Sequence, residues 1–226
     1  MAVFAISDLH LSFQTEKPMD KFGGVWKDYE EKMRARWNQT VSPSDLVLIP
    51  GDVSWATYLE EAVEDFSYLN GLNGKKLISK GNHDYWWETV TKLNGFLAQN
   101  GFDTIGFVYN NTVLWQDCAI CGTKGFDYTI EQRLRNREMA RLELSLQEGA
   151  KTGKEIVLML HYPPFTKEGI LIDGMDELFS KYGVKQCVYG HLHGARQKNA
   201  VNEKIGLVDY KLVSCDFIDM TPVFIR

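Results

Sequence analysis

Residues 45 to 56 read D-L-V-L-I-P-G-D-V-S-W-A, and residues 75 to 84 read K-K-L-I-S-K-G-N-H-D. Both segments show one pattern, in which a short apolar run is followed by a glycine and then by polar side chains that can bind a metal. Each apolar run predicts a strand that the following turn residues end, and residues 58–69 between them have helical spacing. In sheets packed against helices, ligands bind beyond the carboxyl ends of the strands. We therefore expect a strand–helix–strand unit that directs Asp52, Asn82 and His83 into one cleft.

The same pattern recurs on both sides of this unit. The apolar run 2–6 leads to Asp8 and His10, which share a face if the extended backbone continues, because side chains two apart on a strand point the same way. The run 156–160 ends at His161, and the run 187–189 leads to the segment G-H-L-H at 190–193. These segments predict further strands that end at the same cleft.

The histidines are the strongest chemical evidence in the sequence. All five follow apolar, strand-like runs, whereas a single such histidine is more often a satisfied core residue. Imidazole, carboxylate and amide donors without thiolate suit Mn, Fe, Zn or Co. Seven candidate ligands are too many for one tetrahedral ion and suit two ions that share a carboxylate: Asp8, His10, Asp52, Asn82, His161, His191 and His193.

Composition limits the classes of protein. The 226 residues, of which 44% are hydrophobic, predict one domain spanning 1–226. A net charge of -5 gives no basic surface for non-specific nucleic-acid binding. No apolar run approaches the roughly 18 residues of a membrane span, so we expect no membrane association and a cytoplasmic location. Oligomeric state stays open.

Cys118 and Cys121 form a C-x-x-C, which is compatible with half a zinc site, a redox pair or two buried thiols. The surrounding run is typical of a strand, on which residues three apart face opposite ways. No second C-x-x-C completes a zinc set. We therefore predict that all four cysteines are plain buried thiols.

The remaining segments predict mainly packing elements. Residues 85–87 (Y-W-W) form either a wall of the cleft or a surface that stacks a substrate base. The arginines of 130–149 alternate with glutamates, which favours a solvated helix face, although one of them could reach a phosphate. Helices are predicted over 27–40, 58–69, 86–99, 130–149 and 176–182, strands within 107–122, and a two-stranded hairpin over 204–225.

The blocks D-L-H (8–10), G-D (51–52), G-N-H-D (81–84), H (161) and G-H-L-H (190–193) together resemble the signature of the calcineurin-like metallophosphoesterases. The resemblance implies an α/β fold with two mixed β-sheets packed as a sandwich and flanked by helices. It also implies that Asp52 bridges two ions and that His83 faces the substrate without binding metal. The implied ligands of one ion are Asp8, His10 and His193, and those of the other are Asn82, His161 and His191.

By this resemblance the expected activity is hydrolysis of a small phosphate ester by a metal-bridging hydroxide, with His83 as the acid that assists the leaving oxygen. Two ions (+4), Asp8 and Asp52 (-2) and a hydroxide (-1) leave a charge of +1. That charge favours a phosphodiester, as does V-S-W-A at 53–56, where protein phosphatases of the family have V-D-R-G. Residues 11–40 could cover the cleft, but no substrate contact can be assigned to them.

Several other activities stay open at this point. Within the same chemistry they are hydrolysis of phosphomonoesters, nucleotides or pyrophosphate. A binuclear hydrolase of another bond, such as an amide, is a second class. A non-catalytic scaffold with this fold is a third, although no ligand position is missing.

Overall fold

The computed structural model describes residues 1–226 and contains two β-sheets and five α-helices. The strands are β1 (Val3–Ala5), β2 (Leu46–Pro50), β3 (Lys75–Ser79), β4 (Ile105–Phe107), β5 (Asn111–Trp115), β6 (Cys118–Thr123), β7 (Glu155–Leu160), β8 (Val184–Tyr189), β9 (Lys204–Ile205), β10 (Val208–Leu212) and β11 (Val223–Phe224). The helices are α1 (Tyr29–Thr40), α2 (Val63–Asn70), α3 (Val90–Asn100), α4 (Gln132–Lys151) and α5 (Met175–Tyr182). Short 3₁₀ helices cover Met19–Phe22, Gly24–Trp26, Leu59–Ala62 and Gly194–Asn199.

Both sheets are mixed, as predicted. The first has the order β11-β1-β2-β3-β4, with β1 to β4 parallel and β11 antiparallel to β1. The second has the order β5-β6-β7-β8-β10-β9, in which β6, β7, β8 and β10 are parallel and β5 and β9 are antiparallel. Just past β1 and β10, Ser7 and Ser214 form a parallel bridge that links the sheets. The carboxyl ends of β1 and β10 therefore meet.

The core consists of three apolar layers. Between the sheets, β1 and β2 bury alternate residues such as Ala5 and Leu48 with Val157 and Met159 of β7. The opposite face of the first sheet packs against α1, α2 and α3, and that of the second sheet packs against α4 and α5. Because both faces of each sheet are covered, central parallel strands such as β2 and β7 are almost entirely apolar and buried. The predicted sandwich flanked by helices is confirmed.

Some predicted elements differ from the structure: the helix predicted over 58–69 is a 3₁₀ helix followed by α2, and β4 begins before the predicted strand region 107–122. Helix α3 begins at Val90 and not at residue 86, because the Thr89 side chain caps it by accepting from Lys92 N at 3.4 Å. The prediction of a single hairpin over 204–225 is wrong in its second half. Only β9 and β10 pair as a hairpin, whereas β11 crosses to the first sheet and pairs with β1.

The four cysteines are buried and free, as predicted. On β6, Cys121 faces the layer under α4, whereas Cys118 faces the layer between the sheets. The C-x-x-C therefore points in two directions and is not a metal half-site. Among the helices of the structure, none has both the length and the apolar character needed to cross a membrane.

Candidate metal centre

The predicted ligands lie on loops that follow the strands, and four of them have left-handed backbone. The φ angles are 57° at Asp8, 48° at His10, 52° at Asp52 and 72° at His191. Asp and His tolerate this region better than most residues, and such conformations concentrate at functional sites. Extended backbone, the condition under which Asp8 and His10 would share a strand face, therefore does not continue through these residues. The two side chains nevertheless converge, because the turn brings them back together.

The first group of converging side chains consists of Asp8, His10 and His193. The Asp8 Oδ1 atom lies 3.3 Å from His193 Nε2, and His10 Nε2 lies 3.3 Å from the same His193 nitrogen. Donor atoms of all three lie within 4.8 Å of one another. These are the residues that the resemblance implies for one ion.

The second group consists of Asn82, His161 and His191. The Asn82 Oδ1 atom lies 2.6 Å from His161 Nε2 and 2.8 Å from His191 Nδ1, and those two nitrogens are 3.3 Å apart. The other nitrogen of His161, Nδ1, lies 3.1 Å from the Pro50 carbonyl. A carbonyl can only accept, so Nδ1 carries the proton and the Nε2 lone pair faces the group.

Asp52 lies between the two groups. Its Oδ2 atom is 3.5 Å from His161 Nε2 and 3.9 Å from His10 Nε2. Its Oδ1 atom accepts a hydrogen bond from His83 N at 2.8 Å. Asp8, Asp52 and His161 also lie within 4.8 Å of one another, so the two groups form one cluster around the carboxylate predicted to bridge.

The donor atoms of the second group lie 2.6–3.3 Å apart, at or below the separation of two ligands on one divalent ion. Nitrogen and oxygen ligands lie about 2.0–2.2 Å from zinc, so tetrahedral partners are about 3.3–3.6 Å apart. The second group brings an amide oxygen and two imidazole nitrogens within 3.3 Å of one another. A cation at their centre can satisfy all three at once, whereas each proton can bridge only one pair.

The charges of the cluster also call for a cation. Burial by itself raises the pKa of Asp8, but the hydrogen bond and charge of His193 hold that pKa well below its usual range. Burial, together with the Asp84 and Asp8 carboxylates, raises the pKa of Asp52 to about 9. Without a bound cation, therefore, one of these buried aspartates is ionised and the other is protonated.

The histidines respond in the same way. Burial lowers the pKa of His10 to about 3 and that of His161 to about 3, so both are neutral and able to act as ligands. Burial by itself lowers the pKa of His193. The hydrogen bonds of His193 to Asp216 and Asp8 have the larger combined effect and raise that pKa to about 10. His193 thus supplies the positive charge that Asp8 requires when no ion is bound.

Asp84 holds the two central loops together. Its buried carboxylate accepts hydrogen bonds from the backbone N–H groups of Gly81 at 2.7 Å, Asp52 at 2.9 Å and Val53 at 2.8 Å. The Trp86 indole also donates to it, at 3.1 Å. A Cβ at position 81 would collide with the backbone and carboxylate of Asp52, so only glycine permits this approach. Asp84 thereby fixes the position of the Asp52 side chain.

Asp216 is a site residue that was not predicted from the sequence. Its Oδ1 atom lies 2.8 Å from His193 Nδ1, so it holds a proton on Nδ1, and loss of the Nε2 proton to a bound ion would leave the Nε2 lone pair directed toward Asp8 and His10. The sequence pattern that marks the other site residues is present here too, because Asp216 follows the apolar end of β10 just as Asp52 follows β2. Ser214, also past β10, donates to Asp8 Oδ2 at 2.9 Å.

His83 is half-buried beside the first group. Its ring centroid is 4.7 Å from that of Trp55 and 5.8 Å from that of His10. The Nδ1 atom is buried without a hydrogen-bond partner, and burial lowers the pKa of the ring. His83 and Asn82 direct their side chains to different places, and both residues lie in a bend of the backbone.

Part of the 11–40 segment lines the cleft. A cavity of about 380 Å³ is bounded by His10, His83 and His193 on one side and by apolar side chains of the two 3₁₀ helices within 19–26 on the other. Trp55 of the V-S-W-A stretch stacks on His10, with ring centroids 4.8 Å apart. Trp55, which stands in sequence where the V-D-R-G motif has its arginine, thus places an indole beside the cluster.

A family model described as calcineurin-like phosphoesterase matches residues 1–195. A search of curated proteins finds no match. Among solved structures, a protein of unknown function from Aquifex aeolicus is 16% identical, with TM-score 0.52 over 99% of this chain and 95% of its own. Phosphopantetheinyl hydrolase (PptH) from Mycobacterium tuberculosis is 15% identical, with TM-score 0.57 over 94% of this chain and 88% of its own. The protein TT1561 of Thermus thermophilus is 12% identical, with TM-score 0.58 over 99% of this chain and 97% of its own. At these identities the three structures show similarity of fold alone.

Proposed function

The chain belongs to the calcineurin-like phosphoesterase family, and from this premise we propose that it is a metal-dependent phosphohydrolase that uses two divalent ions and favours phosphodiesters. The observation that carries the proposal is the single cluster of seven predicted ligands, with Asp52 Oδ2 within 3.9 Å of a nitrogen from each group. Asp8, His10 and His193 would hold one ion, and Asn82, His161 and His191 would hold the other. The donor set suits Mn, Fe, Zn or Co.

Two such ions, when bound, lower the pKa of a water molecule and neutralise the charge of a phosphate. The protein's own residues supply position and protons. Asp84 and the His83 N–H orient the Asp52 carboxylate between the groups. The His83 ring, close to the cluster but outside both groups, is suited to donate a proton to the leaving oxygen.

The preference for diesters rests on charge. A monoester carries about two negative charges near neutral pH and a diester carries one, whereas the loaded cluster has a net charge of +1. Beside the first ion site, the indoles of Trp55 and Trp26 lie with their ring centroids 4.8 Å and 6.1 Å from that of His10. Because no guanidinium lies there, the second negative charge of a monoester lacks the charge-assisted hydrogen bonds that an arginine would donate to it.

Reconstitution with Mn²⁺ tests the proposal. The loaded protein is assayed on p-nitrophenyl phosphate and methyl p-nitrophenyl phosphate, which share a leaving group and differ by one charge. We expect chelator-sensitive turnover of both, with the higher kcat/KM for the diester. A higher kcat/KM for the monoester would reverse the preference and leave a phosphomonoesterase. If neither ester is turned over and an amide substrate is hydrolysed, the protein is a hydrolase of another bond and the proposal is wrong.

A further inference from the structure

A second cavity, of about 300 Å³, lies beside His191 and shares no lining residue with the cavity next to His83. Its walls carry the aromatic rings of Phe126, Tyr128, Tyr162, Phe165 and Tyr189. We call it the aromatic cavity. Its volume is in the range of small-molecule sites, and walls of this type with a few polar groups are typical of them.

The aromatic cavity begins at the proposed metal centre. The His191 Nδ1 atom belongs to the second group of ligands, 2.8 Å from Asn82 Oδ1, and the His191 ring also lines the cavity. The Tyr162 ring lies against it, with centroids 4.5 Å apart. A substituent on a phosphate held by the second group can therefore extend along Tyr162 into the cavity.

The cavity also carries an unpaired cation. Arg196 lines it from the 3₁₀ helix Gly194–Asn199, directly after His193. The backbone N–H of Arg196 donates to His193 O at 3.1 Å, but its exposed guanidinium has no salt-bridge partner in the protein. The acidic residue of the lining, Asp127, binds Thr129 through Oδ1 at 2.8 and 2.6 Å and forms no salt bridge with Arg196. The guanidinium is thus free for a ligand acceptor.

We propose that the aromatic cavity is a substrate subsite that takes a planar aromatic group on the non-leaving oxygen of a phosphodiester, while Arg196 binds an acceptor on that group. This proposal rests on the proposed function and narrows its substrate class to diesters with an aryl or nucleoside substituent. The leaving oxygen is assigned to the other cavity because His83, the proposed acid, lines that one. Aromatic stacking and charge-assisted hydrogen bonds would supply the selectivity.

Two diesters with the same leaving group test the proposal: thymidine 5′-(p-nitrophenyl phosphate) and methyl p-nitrophenyl phosphate. Because the leaving group is common, the ratio of their kcat/KM values reports only the second substituent. We expect the wild-type protein to favour the thymidine ester by about tenfold or more, and Arg196→Ala and Tyr128→Ala each to lower the ratio about tenfold. Arg196→Lys should restore part of it.

Lys198→Ala is the matched control, because Lys198 is an exposed cation on the same 3₁₀ helix but does not line the cavity. It should leave the ratio unchanged. Equal ratios in the wild-type protein, Arg196→Ala and Tyr128→Ala would overturn the proposal, as would an equal change in Lys198→Ala. Circular dichroism confirms that each variant is folded.

A binding experiment separates this proposal from the proposed function. Calorimetry compares the Kd values of thymidine 5′-monophosphate and methyl phosphate for the wild-type protein and Arg196→Ala. The subsite is supported if thymidine 5′-monophosphate binds more tightly than methyl phosphate and if Arg196→Ala weakens its binding about tenfold. This result would hold even if no ester is hydrolysed. An unchanged Kd in Arg196→Ala rejects the subsite even if both esters are hydrolysed.

Discussion

Asp8 and Asp52 are both buried carboxylates of the centre, but their surroundings differ. Asp8 accepts hydrogen bonds from two serine hydroxyls and from the His191 N–H, which favour its ionised form. Asp52 accepts one, from His83 N, and burial together with the neighbouring carboxylates raises its pKa to about 9. Asp52 thus has the greater need of a cation, which agrees with the role of a carboxylate shared by two ions.

Asp52→Asn is predicted to weaken both metal sites together. The amide keeps the shape of the side chain, but it removes the charge and offers one oxygen where two ions would compete for it. We expect loss of hydrolysis and of both tightly bound ions, as measured by elemental analysis after gel filtration. Two retained ions and near-normal turnover would place the bridge at another residue.

His83→Ala is predicted to keep both ions and the fold but to slow hydrolysis. A general acid typically contributes roughly 10²–10⁴-fold in rate. The loss should be largest for alkoxide leaving groups, which need the proton, and should shrink for p-nitrophenolate, which leaves without one. Equal losses for both would mean that His83 positions the phosphate, and loss of metal would make it a ligand.

Asp216→Ala is predicted to weaken one ion more than the other. The Asp216 carboxylate, 2.8 Å from His193 Nδ1, sets the tautomer and direction of a proposed ligand of the first ion. Loss of such a partner typically lowers metal affinity by about 10–100-fold. Metal titration should therefore show one weakened and one nearly unchanged site, with partial recovery in Asp216→Glu. Equal weakening of both sites would indicate a general structural defect.

Among the elements, the sequence predicts the buried strands well because their apolar runs are covered on both faces and are followed by turn-forming or polar residues. Leu46 to Pro50 is one such run, and the polar residues that follow β1, β2, β3, β7 and β8 meet in the cleft, as their position past the strand ends predicted. That these residues bind metal stays a prediction, as does a single domain over 1–226.

The sequence does not predict features that depend on tertiary contacts. The left-handed turns at Asp8 and His10 are set by hydrogen bonds to the backbone of Gly51 and Asp52, which lie far away in the chain. The position of β11 depends on pairing with β1, more than 200 residues earlier by number (Phe4 with Phe224). Local periodicity carries no information about such partners.

Helix α2 contributes a buried carboxylate that joins three segments. Asp65 accepts from Phe13 N at 2.9 Å and from the Ser54 hydroxyl, so it connects the 11–40 segment to the V-S-W-A stretch. Burial raises its pKa to about 6, although these hydrogen bonds oppose the rise. The folded protein therefore holds a proton on Asp65 at pH values where the unfolded chain, with a pKa near 3.9, has released it.

Asp65→Asn is predicted to remove one component of the pH dependence of stability. Between about pH 4 and pH 6 the folded state binds more protons at this position, so its contribution to the free energy of unfolding falls as pH rises, by up to roughly 3 kcal/mol. The Asn side chain keeps the hydrogen bonds of the protonated acid and does not titrate. Urea unfolding at pH 4.5 and pH 7 should show the variant gaining stability relative to wild type at the higher pH. A constant difference between the two proteins would mean that Asp65 keeps an ordinary pKa.

At the scale of the whole molecule, the centre exists only when both sheets are in place. Asp8, Asp52 and Asn82 follow strands of the first sheet, whereas His161, His191 and His193 follow strands of the second, and the Ser7–Ser214 bridge joins the two at that point. The unfolded chain has no such arrangement of ligands. Metal binding should therefore stabilise the fold, since a ligand that binds only the native state adds to its stability.

Metal loading is predicted to give two divalent ions per chain and a higher Tm. At a free ion concentration of 100 times Kd, each site adds about 2.7 kcal/mol to the free energy of unfolding. For a protein of this size, each occupied site should therefore raise the Tm by roughly 5–10 °C. Elemental analysis and thermal unfolding before and after chelation measure the two quantities. Asp8→Asn should reduce both the ion count and the rise in Tm, whereas Lys198→Ala, an exposed cation outside the cluster, should change neither. Close to zero ions per chain in folded wild-type protein would refute the metal centre. One ion per chain would refute the bridging role of Asp52 and would mean that only one of the two ligand groups binds an ion.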